Sequence, residues 1–179
     1  MREVVLFLAM SLDGYLADPQ GKVDWISGQE ADCPEDQDSY TEFVKGIDTV
    51  ILGWRTYEQI VTELSPGEWV YAGLQSYVIT HRQIPAQEEI IFTDTDPCRL
   101  VRELKEKQGK NIWICGGAQV IRQLMREDLI DVYHLSVIPA ILGKGIRLFP
   151  ELENERKLKL TKTSTSNGIT ELIYIRREL

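Results

Sequence analysis

Four runs of apolar residues constrain the fold of this chain more than any other feature of its sequence. They cover residues 4–10, 49–52, 77–80 and 111–115 and are rich in Val, Ile and Leu. Continuous apolar runs of this length are typical of strands that are buried on both faces. Between and around them, residues 37–45, 55–64, 97–108 and 117–126 have helical patterns. The alternation predicts an α/β fold in which helices cover both faces of a mainly parallel, doubly wound sheet.

The end of the chain has a different pattern. Residues 157–165 and 169–176 are predicted strands, and Asn167-Gly168 between them favours a tight turn, so an antiparallel hairpin is expected to complete the sheet. A long loop with an acidic stretch at 30–38 follows the first strand, and loops of that length are usually functional lids or disordered. A length of 179 residues fits one domain over residues 1–179.

Composition and charge argue against several classes of protein. A net charge of −8 disfavours a nucleic-acid partner, and no apolar segment approaches the roughly 20 residues that a membrane span needs. The three cysteines lack any C-x-x-C spacing and the chain has only two histidines, so no metal site is expected. Reduced thiols and the lack of a signal peptide indicate a cytoplasmic protein.

The sharpest local signal for a ligand site is the segment Cys115-Gly116-Gly117-Ala118, where a buried strand ends and an amphipathic helix begins. Paired glycines allow a ligand to approach the backbone closely, and the N–H groups of a helix N-terminus favour a diphosphate. A tight turn without a ligand would show the same residues. The G-x-G-x-x-G fingerprint is missing, which argues against an ordinary Rossmann domain.

Two further strand ends carry glycine, hydroxyl or cationic side chains. If the strands are parallel, their carboxyl ends lie along one edge of the sheet and line one crevice. Alternatively, Thr56 only caps a helix and Arg55 is a solvated charge. The residues at these two ends are Gly53, Trp54, Arg55, Thr56, Thr80, His81 and Arg82.

Two carboxylates are candidate acids for chemistry near that crevice. Asp13 lies in the loop that follows the first strand, and Asp38 lies at the end of the acidic stretch. An ordinary turn or cap carboxylate is the more common explanation for each of them. No Ser-His-Asp or Cys-His arrangement is evident, so the chemistry does not require a protein nucleophile.

Taken together, the segments 9–17, 52–58, 115–119 and 129–149 resemble the dihydrofolate reductase superfamily. They are most similar to the reductase domain of the bifunctional riboflavin-biosynthesis deaminase-reductase and to its stand-alone bacterial relatives. The deaminase motifs H-x-E and P-C-x-x-C are missing from the sequence. The resemblance implies a mixed, mainly parallel sheet with the cofactor stretched across the strand ends.

The resemblance also implies roles for individual residues. Ala9 and Leu16 would lie beside the nicotinamide of NADPH. Gly116 and Gly117 would form the diphosphate turn, in this superfamily often through a cis peptide bond. Segments 53–56 and 80–82 would flank the adenosine half, and Ser136 would face the substrate. The diphosphate motif as a whole consists of Cys115, Gly116, Gly117, Ala118 and Gln119.

The function implied is NADPH-dependent reduction of a pyrimidine or pteridine-like heterocycle, as in 5-amino-6-(5-phosphoribosylamino)uracil reductase. Dihydrofolate reduction and a non-catalytic dinucleotide-binding module remain as alternatives. Two departures bear on this choice. Trp54 stands where relatives commonly have Arg, and Ser39 stands four residues before Phe43, where dihydrofolate reductases carry a carboxylate. A homodimer is expected, and the apolar stretch 138–142 would lie in its interface or in the core.

Overall fold

The computed structural model of the chain describes residues 1–30 and 38–177. Ten strands, four α-helices and one π-helical turn follow one another along these residues. In chain order they are β1 Val4–Ser11, β2 Tyr15–Ala17, α1 Asp38–Lys45, β3 Ile47–Gly53, α2 Trp54–Gln59, the π-helical turn Ile60–Leu64, β4 Gln75–Ile79, β5 Ile90–Thr93, α3 Pro97–Lys105, β6 Asn111–Gly116, α4 Ala118–Arg126, β7 Val132–Ile138, β8 Ile146–Arg147, β9 Leu158–Ser166 and β10 Ile169–Arg176.

Eight of the strands form one sheet in the order β5-β4-β3-β6-β1-β7-β10-β9. All pairs from β5 through β7 are parallel, whereas β10 is antiparallel to both β7 and β9. This confirms the predicted mainly parallel sheet with a C-terminal antiparallel hairpin. The carboxyl ends of β1, β3, β4, β6 and β7 therefore lie at one edge of the sheet.

Helices cover both faces of the sheet, as the alternation predicted. On one face, α3 and α4 pack against Leu6, Ile51 and Ile114, which are fully buried. On the other face, α1 and α2 pack against side chains such as Val50 and Trp113. Because successive side chains of a strand point to opposite faces, Trp113 and Ile114 belong to different cores. Because both faces of the sheet are buried, the sequences of these strands are continuous apolar runs.

The hairpin of β9 and β10 turns through Asn167 and Gly168, both with positive φ (47° and 76°). The predicted turn is therefore observed at the predicted residues. The turn also binds the loop that follows β2, because Gln29 and Glu30 donate backbone N–H groups to the backbone and side-chain oxygens of Asn167 at 3.0 and 2.9 Å. These contacts fix the chain at the start of the acidic stretch.

The structure differs from the predicted elements in small ways. Strands β2, β5 and β8 were not predicted, because they have two to four residues and carry no clear alternation. The predicted helix 55–64 is an α-helix of six residues that continues as a π-helical turn. In the described part of the chain, no helix is long and apolar enough to cross a membrane.

Candidate active site

One large cleft of about 1940 Å³ opens at the carboxyl ends of the strands. Pockets for a single drug-sized ligand usually measure about 300–1,000 Å³, so this cleft has room for a dinucleotide and a second, smaller molecule. All of the residues predicted to bind the cofactor line it, and so does Ser136. The parallel sheet brings these separate segments together, as expected for strand ends at one edge.

The centre of the cleft is the junction of β6 and α4. The peptide bond between Gly116 and Gly117 is cis. Gly117 caps the nine-residue helix α4, and no side chain satisfies the helix N-terminus at this cap. The first N–H groups of α4 are thus directed toward the cleft, where the helix dipole favours an anion. This geometry suits the diphosphate of a dinucleotide.

A cradle too narrow for a side chain surrounds this turn. A Cβ atom added at Gly117 would come 3.1 Å from the hydroxyl oxygen of Thr56, and one at Gly116 would come 3.3 Å from it. Gly53, at the end of β3, faces the Gly117 backbone in the same way at 3.5 Å. Only glycine leaves the backbone of this turn open to a ligand.

The end of the cleft beside α2 carries the cations. The guanidinium of Arg82 lies over the ring of Trp54, 4.6 Å from its centroid. The Trp54 Nε1 atom is buried and has no hydrogen-bond partner within the described residues, which indicates that a ligand group or a water completes it. Arg55 and His81 are exposed in this region of the lining. The predicted adenosine-binding residues are therefore neighbours in space.

The other half of the cleft has an aromatic wall, defined here as Phe7, Tyr40, Tyr71 and Trp113. Phe7 stacks on Tyr40 with ring centroids 6.2 Å apart, and Tyr71 meets Trp113 edge-on at 4.7 Å. Ser136 and Cys115 complete this part of the lining. Such a wall favours the binding of a flat heterocycle, which can stack on the aromatic rings. These four residues were not predicted from the sequence. The available signal was strand alternation, which places Phe7 and Trp113 on one face.

Cys115 lies beside this wall as a neutral thiol. Burial raises the pKa of its thiol to about 11, partly offset by the contact with the Tyr71 hydroxyl at 3.1 Å. Burial likewise raises the pKa of Tyr71. A thiol of this kind carries little thiolate at neutral pH and is a poor nucleophile. Cys98 is free and buried elsewhere, and Cys33 lies outside the described residues.

Asp13, one of the two candidate acids, lies outside the lining of the cleft. It accepts hydrogen bonds from the Ser11 hydroxyl at 2.6 Å and from the Leu142 and Gly143 N–H groups at 3.1 and 2.7 Å. The Ser11 bond above all, with the two backbone bonds, lowers the pKa of Asp13. Its carboxylate is therefore an ionised acceptor that ties two loops together, which favours a structural role over that of an acid.

The other candidate, Asp38, begins helix α1, and its side chain lies outside the described residues. The long loop after β2 reaches over the cleft with residues 19–23 and Ile26. Gln59 of α2 donates to the Gly21 carbonyl at 3.1 Å and so ties this loop to α2. No group of three or more potential metal ligands converges anywhere in residues 1–30 and 38–177.

Comparison with known proteins agrees with this geometry. The family model described as the RibD C-terminal domain matches residues 2–173, and the chain belongs to this family. Its relatives include the Bacillus subtilis protein YwjB, described as uncharacterised, which is 39% identical over 98% of both chains. The family, and with it the suspected relation to riboflavin-pathway reductases, is thereby confirmed.

Two solved structures are also similar. A protein from Shewanella sp. PV-4, described as a putative riboflavin biosynthesis protein, is 26% identical, with a TM-score of 0.80 over 98% of this chain and 99% of that one. Dihydrofolate reductase from Enterococcus faecalis, solved in complex with NADP(H) and RAB-propyl, is 19% identical, with a TM-score of 0.65 over 98% and 97% of the two chains. The latter shows that the fold is that of dihydrofolate reductase.

Proposed function

We propose that this protein is an NADPH-dependent reductase that transfers a hydride to a flat pyrimidine or pteridine-like heterocycle. The observation that carries the proposal is the division of one cleft into two halves. A glycine turn at a helix N-terminus with cations beyond it lies on one side, and an aromatic wall lies on the other. Such a cleft binds a dinucleotide and a flat ring side by side.

The residues of the cleft fit NADPH. The N–H groups at the start of α4 would bind the diphosphate, and the cradle around Gly117 leaves room for it. Arg55 and Arg82 would bind the 2′-phosphate, because guanidinium groups match phosphate geometry. The buried Nε1 of Trp54 would find an acceptor on the adenosine half. Ala9 and Leu16, on β1 and β2, would lie against the nicotinamide.

When bound, NADPH supplies the hydride. The chain itself has to orient the substrate, shield the reacting atoms from water and provide a proton. Phe7, Tyr40 and Trp113 would hold the substrate ring parallel to the nicotinamide. The loop at residues 19–26 would exclude water from the reacting atoms. Ser136 is one hydroxyl of the lining that would donate a hydrogen bond to the substrate.

Turnover tests the proposal directly. NADPH oxidation is followed by the near-ultraviolet absorbance of NADPH. Three candidate substrates are tested separately: the ribosylamino-uracil of riboflavin synthesis, the 5-phosphate of that compound, and dihydrofolate. We expect NADPH to be oxidised in the presence of a pyrimidine substrate. Oxidation with dihydrofolate alone would identify a dihydrofolate reductase instead. Tight binding of NADPH without turnover across this set would identify a binding module.

The proposal also includes the location of the protein and its assembly. The protein would act in the cytoplasm, where the free thiols Cys98 and Cys115 stay reduced. It would form a homodimer. Ile141, in the apolar stretch 138–142, is 72% exposed, whereas Ile138 at the start of that stretch is buried. An exposed isoleucine of this kind supports an interface at the end of β7.

A further inference from the structure

Four exposed apolar side chains lie at the opening of the cleft, next to the aromatic wall. They are Ile26, Tyr40, Leu64 and Val70, and all four line the cleft. Their exposed fractions run from 41% for Ile26 and Tyr40 to 58% for Leu64, and they take no part in the two hydrophobic cores of the described chain. Single exposed apolar residues are normal on a protein surface, whereas several that converge on one cavity mark a binding surface. We call these four residues the apolar mouth.

The apolar mouth is continuous with the aromatic wall. Tyr40 belongs to both, because its ring stacks on Phe7 and meets Trp113 edge-on at 6.1 Å. Val70 directly precedes Tyr71, whose ring contacts Trp113 at 4.7 Å. A molecule that stacks on the wall therefore meets Tyr40 and Val70 where it extends beyond the wall.

Ile26 and Leu64 belong to two further segments of the mouth. Leu64 ends the π-helical turn that continues α2, and Ile26 lies on the loop after β2. Gln59, the residue before the π-helical turn, donates to the Gly21 carbonyl of that loop, so the two segments are joined. The loop after β2, α1, the π-helical turn and the loop before β4 thus contribute one apolar side chain each.

The charges around the mouth disfavour an anion. Residues 23–44 and 56–81, which include all four side chains of the mouth, contain no lysine or arginine. They contain carboxylates instead, and Glu58 and Glu63 line the cleft. Lys22 is the single lysine of the described lining, whose arginines lie at the start of α2, after β4 and on α4. A phosphate group at the mouth would meet like charges and lack the guanidinium partners that phosphates favour.

We propose that the apolar mouth binds an uncharged alkyl or aryl substituent of the substrate, while the flat ring of the substrate stacks on the aromatic wall. The substrate class is then a pyrimidine or fused-ring heterocycle with an apolar substituent, rather than one that carries a sugar phosphate. This inference deepens the proposed function and rests on the assignment of the aromatic half to the substrate.

The selectivity of the mouth follows from what each kind of substituent gains and loses there. An apolar substituent removes its own surface and that of the four side chains from water, and the gain grows with the area that is covered. A charged substituent in the same place would lose water without gaining a matching charge. The mouth therefore selects an apolar substituent against an anionic one of similar size.

Three probes that share one ring test the mouth. They are 6-aminouracil, 6-(benzylamino)uracil and 6-(4-carboxybenzylamino)uracil, called here the parent ring, the benzyl probe and the carboxylate probe. Dissociation constants come from ligand-detected NMR titrations of the full chain without cofactor. The benzyl probe is expected to bind about tenfold more tightly than the parent ring, because a phenyl-sized group is partly buried. The carboxylate probe should lose most of this gain.

Leu64→Ser combined with Val70→Ser should bring the constants of the benzyl probe and the parent ring to within about twofold of each other, because much of the apolar surface is removed. Both side chains are exposed, so the fold should be retained. If this double variant does not fold, as judged by circular dichroism, Val70→Thr decides instead. Threonine matches the shape of valine, and this variant should weaken the benzyl probe about threefold and leave the parent ring unchanged.

Leu160→Ser is the matched control. Leu160 is a leucine of similar exposure, 47%, but it lies on β9 at the edge of the sheet and outside the described lining of the cleft. This variant should keep the full preference for the benzyl probe.

Equal binding of the benzyl probe and the parent ring to the unmodified protein would overturn the inference, and so would undetectable binding of the benzyl probe. A preference that persists in the folded Leu64 and Val70 variants, or tightest binding of the carboxylate probe, would overturn it as well. None of these results depends on NADPH. A failure of NADPH binding or oxidation would instead argue against the proposed function and leave the probe result interpretable.

Discussion

The hydroxyl of Thr56 lies directly against Gly117, so that a Cβ atom at position 117 would come 3.1 Å from its oxygen. Thr56 is on α2, and Gly117 caps α4 on the neighbouring strand end. The contact joins the two strand ends that line the centre of the cleft. Because Thr56 is so close, the N–H groups of α4 are accessible to a ligand only if residue 117 has no side chain.

Gly117→Val is therefore expected to abolish cofactor binding. Its branched side chain would press on Thr56 and occupy the space in front of the α4 N-terminus. Loss of the charged hydrogen bonds there should weaken NADPH at least about ten- to a hundredfold, as measured by isothermal titration calorimetry. Overpacking should cost about 1–3 kcal/mol of stability, which leaves the fold intact in a thermal melt.

Gly46→Ala is the control for this variant. A Cβ atom at Gly46 would meet only the Phe43 carbonyl oxygen, at an ordinary 3.5 Å, and position 46 precedes β3 at the opposite end from the cleft. It should bind NADPH as the parent does. If a folded Gly117→Val variant also binds like the parent, the diphosphate site is elsewhere.

The preference for NADPH over NADH should depend on Arg55 and Arg82. Each contributes a guanidinium at the α2 end of the cleft. The face of the Arg82 guanidinium stacks on the Trp54 ring, so the N–H groups at its edge stay available to a phosphate. Arg55→Ala and Arg82→Ala are each expected to weaken NADPH about ten- to a hundredfold and to leave NADH nearly unchanged. The difference should shrink at high salt.

Arg126→Ala serves as the control, because Arg126 is exposed in the last turn of α4, away from the helix N-terminus. Calorimetric titrations of the parent and of the three variants with both cofactors make the comparison. Equal losses for NADPH and NADH in the Arg55 and Arg82 variants would show that these arginines do not recognise the 2′-phosphate.

Much of the fold could be predicted because buried parallel strands leave a strong signal. β1 and β6 are continuous apolar runs, and the glycines after β6 show where that strand meets α4. The same signal predicts that Gly53, Gly117 and Thr80 lie at one edge of the sheet, and the structure places them there. β5 was missed because four residues, Ile90–Thr93, are too few to distinguish a strand from a loop.

The surroundings of the aromatic wall could not be predicted in the same way. Glu171 meets Ser39 only because β10 returns antiparallel beside β7 and α1 packs across both, and this depends on register rather than on local sequence. Asp13 was predicted as a candidate acid because a carboxylate near a ligand-binding crevice can take part in proton transfer. Its hydrogen bonds to Leu142 and Gly143 involve residues about 130 positions away, which sequence spacing does not reveal.

Asp13→Asn is expected to destabilise the protein in a pH-dependent way. The folded-state pKa of Asp13 is lowered from 3.8, mainly by the Ser11 hydroxyl, so its contribution is present above that value and is lost as the pH falls below it. The variant should melt at a lower temperature than the parent at neutral pH, and the two should converge in acid.

Glu106→Gln, which changes an exposed carboxylate after α3, should melt like the parent throughout. A difference between Asp13→Asn and the parent that stays constant from neutral pH into acid would contradict the role of the Asp13 charge.

A homodimer is expected in solution at micromolar concentration. Ile141 and Leu12 are 72% and 62% exposed, and the Leu12 N–H group bonds the carbonyl of Ala140 next to Ile141, so both side chains lie at the same end of the molecule. Light scattering should give twice the chain mass for the parent, and Ile141→Lys should reduce it. A monomer mass for the parent would contradict the interface.

The transfer of hydride from the cofactor to the substrate is the central claim, and isotope labelling tests it most directly. The protein is incubated with NADPH carrying deuterium on the nicotinamide carbon that gives up hydride, together with the pyrimidine substrate that supports NADPH oxidation in the turnover assay. Mass spectrometry of the product should show one deuterium per molecule, and the Gly117→Val variant should yield none. A product without deuterium, or no product while NADPH remains bound in the cleft, would contradict the account.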